Sequence, residues 1–141
     1  MNDPRAWKLG ARVPDRDYGV FRTELVDGEH PRVGHKRFSV LACSDWVNVI
    51  ALTAAREVVL IRQFRVGTRE VCLEIPGGMV DGDEEPAAAA ARELREETGY
   101  AAPRWTRLAT LAPNPAIQDN HLHVFLAEDA ALAGAPRPDG S

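Results

Sequence analysis

The segment Pro86–Thr98, reading PAAAAARELREET, is the one strong helix signal in a chain otherwise written in short strand-like runs. Proline suits a first helical position, alanine has the highest helix propensity, and Gly99 stands where a left-handed residue ends a helix. Strand candidates precede it at Tyr18–Leu25, Lys36–Ser44, Trp46–Thr53, Glu57–Phe64 and Glu70–Ile75, and follow it at Trp105–Leu111 and His121–Ala127. Turn signals at Asp27-Gly28, Pro31, Ser44-Asp45 and Gly67-Thr68 separate them. Many strands around one helix predict an α+β layered domain. Residues 1–17, rich in Pro, Arg and Asp, read as a mobile or loosely docked N-terminal arm, and 18–141 as a single domain.

The helix carries more than its own propensity. At about 100° per residue, Glu96 and Glu97 lie roughly 60° to one side and 40° to the other of Glu93, so these carboxylates share one face. Like charges at that spacing repel, and Glu96 and Glu97 also sit in the last turn, where the helix dipole disfavours acids. Folding rewards none of this, whereas a bound dication turns the repulsion into ligation. Oxygen ligands favour magnesium first and manganese second. Ala87, Ala90, Ala91 and Leu94 form the apolar stripe expected to pack on a sheet.

Charge placement agrees. The formal net charge of −4 is not spread along the chain. Seven acids against two bases lie between Asp81 and Glu97, and the remainder sums to +1. From charge alone a solvated acidic face is the ordinary explanation, and the helical spacing is what sets this cluster apart. A sequence pI near 5.6 argues against a nucleic-acid partner. No apolar run is long enough to span a bilayer, and the polar N-terminus has no signal-like region, so the plain reading is a cytoplasmic protein without a membrane partner. Cys43 and Cys72 read as buried thiols in a reducing compartment, with a single disulfide as the alternative.

Ahead of the helix, Ile75-Pro76-Gly77-Gly78-Met79-Val80-Asp81-Gly82 carries three glycines, which let backbone approach a ligand and leave a carbonyl available to a metal. A flexible connector is the competing explanation. No Gly-Lys-Ser/Thr follows, so this is not a P-loop.

Gly78 to Tyr100 reads G-x5-E-x7-R-E-L-x-E-E-x-G-Y, and this resembles the Nudix box, with aromatic Tyr100 where an aliphatic residue is usual. The resemblance implies an α/β/α sandwich with a mixed central sheet, a catalytic helix after the glycine loop, and extra N-terminal antiparallel strands. It implies magnesium held by Glu93, Glu96, Glu97 and the Gly77 carbonyl, and an Arg92–Glu84 ion pair orienting the helix. Leu60-Ile61-Arg62-Gln63-Phe64-Arg65 and Leu73-Glu74-Ile75-Pro76-Gly77-Gly78 resemble the ADP-ribose and nucleoside-diphosphate-sugar pyrophosphatases in particular. That likeness places Arg65 on a diphosphate, and Pro115 and the loop Asn114–Asn120 at the substrate's border. Gly78 belongs to the same substrate-side loop.

For Trp46, stacking on a nucleobase stands beside plain packing, and for Glu74, substrate contact stands beside an ordinary strand position. His121 and His123 share a strand face, with packing or exposure favoured over metal binding. The group often forms homodimers whose N-terminal strands complete the partner's site. Its further glutamate, often the general base, would fall beyond Ser141, as would a closing strand and helix. Asp119, Glu128, Asp129 and Asp139 are the acids downstream of the box. A non-cleaving sensor is the rival reading, against which every box carboxylate is present. Dinucleoside polyphosphates and NADH remain alternative substrate classes.

Overall fold

In the computed structural model, which describes residues 6–137, α1 runs from Pro86 to Thr98. Gly99 closes it in the left-handed region at φ 74°, its N–H donating to the Arg95 carbonyl. A Cβ at Gly99 would also run into the Gly134 carbonyl oxygen, so the cap needs glycine for space as well as for conformation.

The chain divides into two units, one comprising Met1–Ser44 and Ala112–Asn120, the other Asp45–Leu111 and His121–Ser141. In the first, β1 (Lys8–Asp17), β2 (Phe21–His30) and β3 (Gly34–Cys43) form an antiparallel sheet in that order. The arm expectation therefore needs correction: residues 8–17 are a strand paired with β2 from Lys8↔Glu29 to Asp17↔Arg22. Its composition hides this because every residue of β1 is exposed, so backbone pairing, not burial, makes the strand. Two register shifts fall beside Gly10 and Pro14, residues that interrupt a regular ladder. Trp7 packs on the rings of His30 and Phe38. Residues 117–119 lie along β3, with Leu41 N–H donating to Ile117 O and Asp119 N–H to Leu41 O.

The second unit holds β4 (Trp46–Thr53), β5 (Ile61–Arg65), β6 (Glu70–Glu74), β7 (Gly77–Met79), α1, β8 (Tyr100–Ala101), β9 (Arg104–Leu111) and β10 (Leu122–Leu132). The main sheet runs β7-β4-β10-β8, with β9 also on β10. It is mixed, since β10 is parallel to β4 and antiparallel to β8 and β9. β5 and β6 make a separate antiparallel hairpin. The expected strand 57–64 begins later, at Ile61, because the chain first turns at Arg56 (φ 65°) and returns through a Val59 N–H bond to Ala51 O. The fold is thus α+β, with a mixed sheet, one helix after the glycine turn and extra antiparallel strands. Among the described residues, the sandwich comprises the sheet and this one helix layer. No helix there is long and apolar enough to cross a membrane. Cys43 and Cys72 are free thiols, each half-buried.

α1 packs through Ala89, Ala90 and Leu94 on Val47, Val49 and Ala51 of β4 and Phe125, Ala127 and Ala130 of β10. Ala87 and Ala91, expected in that stripe, are exposed. On a helical wheel the buried arc lies about 70° nearer the carboxylates than the alanine pattern suggests. Glu93 and Glu97, both half-buried, therefore lie within the packing arc and not beside it. Small side chains at 89 and 90 let the helix come close enough to the sheet for this.

Candidate active site

The glycine turn and α1 are joined by contacts that residue identity dictates. β7 pairs with the start of β4, Trp46 opposite Met79, Val47 opposite Gly78 and Asn48 opposite Gly77. A Cβ on Gly77 would strike the Val47 carbonyl oxygen and the Asn48 side chain, and one on Gly78 would strike the carboxyl group of Glu93. Gly77 N–H donates to Glu97 Oε2 at 2.9 Å. Two helix carboxylates are thereby set against the loop, one by a hydrogen bond and one by the space that a missing side chain leaves.

Arg92 binds this arrangement together. Its Nε and Nη2 donate to Glu84 at 3.3 and 3.0 Å, and Nη2 also donates to Met79 O at 3.0 Å. Nη1 donates to Glu93 Oε1 at 2.8 Å and Glu96 Oε2 at 3.1 Å. All the N–H donors of the guanidinium are engaged. Hydrogen bonding from Arg92 holds the Glu84 carboxyl below its usual range, and the same bond, ahead of those to Glu93 and Glu96, raises the arginine.

For a hard dication the donor chemistry fits: carboxylate oxygens on one helix turn, one of them hydrogen-bonded to the glycine loop. Among the described residues no three His, Cys, Asp or Glu groups converge as a finished cage. Glu93 and Glu96 are turned to Arg92, and Glu97 to Gly77 N–H. The Gly78 backbone leaves the space that the Glu93 carboxylate fills.

A cavity of about 480 Å³ opens on this loop, lined by Trp46, Arg65, Gly77, Gly78, Arg92 and Glu93, with Asn48, Gln63, Met79 and Asp81 beside them. Six residues singled out by sequence thus line one space. Glu74 reaches it through Arg65, whose Nε and Nη2 donate to Glu74 Oε1 and Oε2 at 2.9 and 2.6 Å. That pairing lowers the carboxyl of Glu74 and raises the guanidinium of Arg65, with a smaller contribution from the charge of Glu97. A second cavity of about 490 Å³ runs along Thr53, Leu60, Arg62 and Tyr100, and of the helix carboxylates only Glu97 borders it. Pro115 lies in the first unit, in a turn where Ile117 N–H and Gln118 N–H both donate to Asn114 O.

The downstream acids have structural partners. Asp119 pairs with Arg12 and accepts the Cys43 N–H. Glu128 lies near Arg56 and Arg104, and Asp129 pairs with Arg104. Asp139 lies outside the described residues. His121 and His123 are explained by Asp45, which accepts the His121 N–H at 2.8 Å and meets His123 Nε2 at 3.0 Å, while Thr110 Oγ1 lies 3.2 Å from His123 Nδ1.

Sequence reasoning passed over Asn48, Gln63, Met79 and Asp81. A usable signal existed for the first two. Asn48 is two residues from Trp46 on a strand, and Gln63 two from Arg65, so each pair shares a face.

A family model described as NUDIX domain matches residues 45–141. The ADP-ribose pyrophosphatase of Bacillus subtilis (strain 168) is 38% identical over 86 residues, covering 61% of this chain and 46% of that protein. A methanol dehydrogenase activator of Bacillus methanolicus is 30% identical over 109 residues, covering 77% and 59%. The ADP-ribose pyrophosphatase of Saccharomyces cerevisiae is 35% identical over 83 residues, covering 58% and 36%. The matched region thus spans about half or less of most of these curated relatives. A crystal structure described as an ADP compounds hydrolase superposes with TM-score 0.83 at 22% identity, covering 96% of this chain and 74% of its own, a likeness of fold.

Proposed function

The chain belongs to the Nudix family, and from that premise we propose that it is a magnesium-dependent pyrophosphohydrolase of ADP-ribose or another nucleoside diphosphate sugar. The observation that carries this reading is a single cavity bordered by Arg65, the Gly77-Gly78 turn, Arg92 and Glu93, with Glu97 tied to the same turn. Relatives named ADP-ribose pyrophosphatase support the substrate class.

In this reading Glu93, Glu96, Glu97 and the Gly77 carbonyl hold the metal, with manganese able to replace magnesium. When bound, the dication neutralises phosphoryl charge and lowers the pKa of an attacking water. Arg65 supplies a planar fork suited to phosphate oxygens. Arg92, spread over Glu84, Glu93, Glu96 and the Met79 carbonyl, fixes helix to loop so that the carboxylates need little reorganisation. Trp46 offers a ring at the cavity wall for a base. We further propose a cytoplasmic homodimer in which N-terminal strands complete the partner's site, and no nucleic-acid or membrane partner.

The test is hydrolysis of a panel of nucleoside diphosphate sugars with magnesium, manganese or EDTA. Glu97→Gln is the informative variant, since its amide oxygen still accepts the Gly77 N–H. It is expected to lower kcat by about 10²-fold or more with the circular dichroism unchanged. Full activity in that variant would remove Glu97 from the chemistry. Tight binding without cleavage by the unsubstituted chain would assign the site to sensing.

A further inference from the structure

Arg65 makes a choice of partner that its place in the hairpin does not dictate. The β5–β6 register puts Glu70 directly opposite Arg65 and Ile61 opposite Glu74. Directly opposed residues share a sheet face, so Glu70 is the nearer acid. Arg65 nonetheless runs back along that face, past the Gln63–Cys72 pair, and joins Glu74 through both carboxylate oxygens at 2.9 and 2.6 Å. The turn this leads towards is the one that begins at Gly77.

The pairing uses one edge of the guanidinium. Nε and one Nη2 hydrogen go to Glu74, which leaves the remaining N–H groups on the opposite edge of the planar fork. Arg65 lines the cavity and Glu74 does not. Both carboxylate oxygens of Glu74 are occupied, and a carboxylate facing a diphosphate would repel it. The pair is also too exposed to contribute much stability, with side chains 47% and 29% accessible. The charge of Glu97 acts on Arg65 as well.

We propose that Glu74 is a positioning residue: it clamps one edge of Arg65 so that the other edge faces the cavity and receives the phosphates of a nucleoside diphosphate. This rests on the reading of the cavity given above, and it replaces direct substrate contact by Glu74.

Calorimetric titration of the full chain with ADP-ribose in EDTA tests the clamp without turnover. Glu74→Ala is expected to weaken binding about ten-fold, with Glu74→Gln, which keeps one acceptor, falling between it and the unsubstituted chain. In an Arg65→Ala background the Glu74→Ala change should have no further effect, because the group it positions is gone. Undiminished affinity in Glu74→Ala would overturn the proposal, as would an equal loss in both backgrounds, which would mean that Glu74 meets the ligand itself. No binding by the unsubstituted chain would also overturn it. The melting temperature of each variant separates loss of fold from loss of the clamp. Hydrolysis is scored independently: a chain that shows the binding pattern but cleaves nothing defeats the proposed activity and leaves the clamp standing.

Discussion

At the scale of single residues, the site depends on side chains that are absent as much as on those present. Gly78 has no freedom to become alanine, because its Cβ would occupy the position of the Glu93 carboxyl group. Glu93 cannot simply swing aside, since it is half-buried and held at 2.8 Å by Arg92, which is itself fully engaged. Gly78→Ala is therefore expected to lower the unfolding free energy by about 1–3 kcal/mol, the usual cost of overpacking, seen as a lower urea midpoint. Hydrolysis should fall further than stability does, because the displaced group is a ligand in the proposed chemistry. An unchanged midpoint would mean that the helix and turn are looser than their contacts indicate. Gly78 and Glu93 were legible as a motif, but their mutual contact was not: spacing in sequence does not say which carboxylate touches which glycine. Asn48 was missed for a related reason, since a lone polar residue in an apolar strand draws attention only once its face is known.

At the scale of elements, the helix was legible in both its limits and its cap, while its orientation was not. The alanine run offers apolar positions all round, so the periodic pattern cannot choose between the arc through Ala87 and Ala91 and the arc through Ala89 and Ala90. Packing on β4 and β10 chose the second and brought Glu93 and Glu97 into the packing arc. This gives a direct comparison. Ala90→Leu puts an isobutyl group in place of a methyl where no surface is accessible and is expected to cost about 1–3 kcal/mol by thermal or urea unfolding. Ala91→Leu, on the exposed side, should change stability by less than about 0.5 kcal/mol. Equal costs at both positions would restore the arc expected from sequence. Among strands with a buried face, β4 was read at its observed limits and β10 near its start, while the end of β10 runs five residues past the expected Ala127, where its inward-facing positions are alanines. β7 and β8 were not, because two or three residues carry no period. β1 was not, because a strand exposed along its whole length has no hydrophobic alternation to reveal it.

At the scale of the whole chain, both units carry carboxylates held below their ordinary pKa. Asp27 is lowered by hydrogen bonding to Arg37 in the first unit. In the second, Glu74 is lowered by Arg65 and Glu84 by Arg92. At Asp45 burial works upward, but bonds from the His121 backbone and the His123 ring outweigh it. A carboxyl whose folded pKa is depressed binds fewer protons folded than unfolded between its two pKa values. Its contribution is complete above the unfolded value of about 4 and is lost as the pH falls through the folded value. These groups therefore predict a melting temperature insensitive to them from neutral pH down to about 5, then a decline on the acid side in both units. Glu84→Gln isolates one of them. The variant keeps an acceptor for Arg92 but has no proton to take up, so it should melt below the unsubstituted chain at pH 7. The gap should narrow as the pH drops, and the two curves should meet once Glu84 is protonated in both states. Melting curves followed by circular dichroism across this range are the measurement. A gap of constant size at every pH would mean that the amide costs the variant stability by its own shape and NH2 group, and that the charge of Glu84 contributes nothing to the fold.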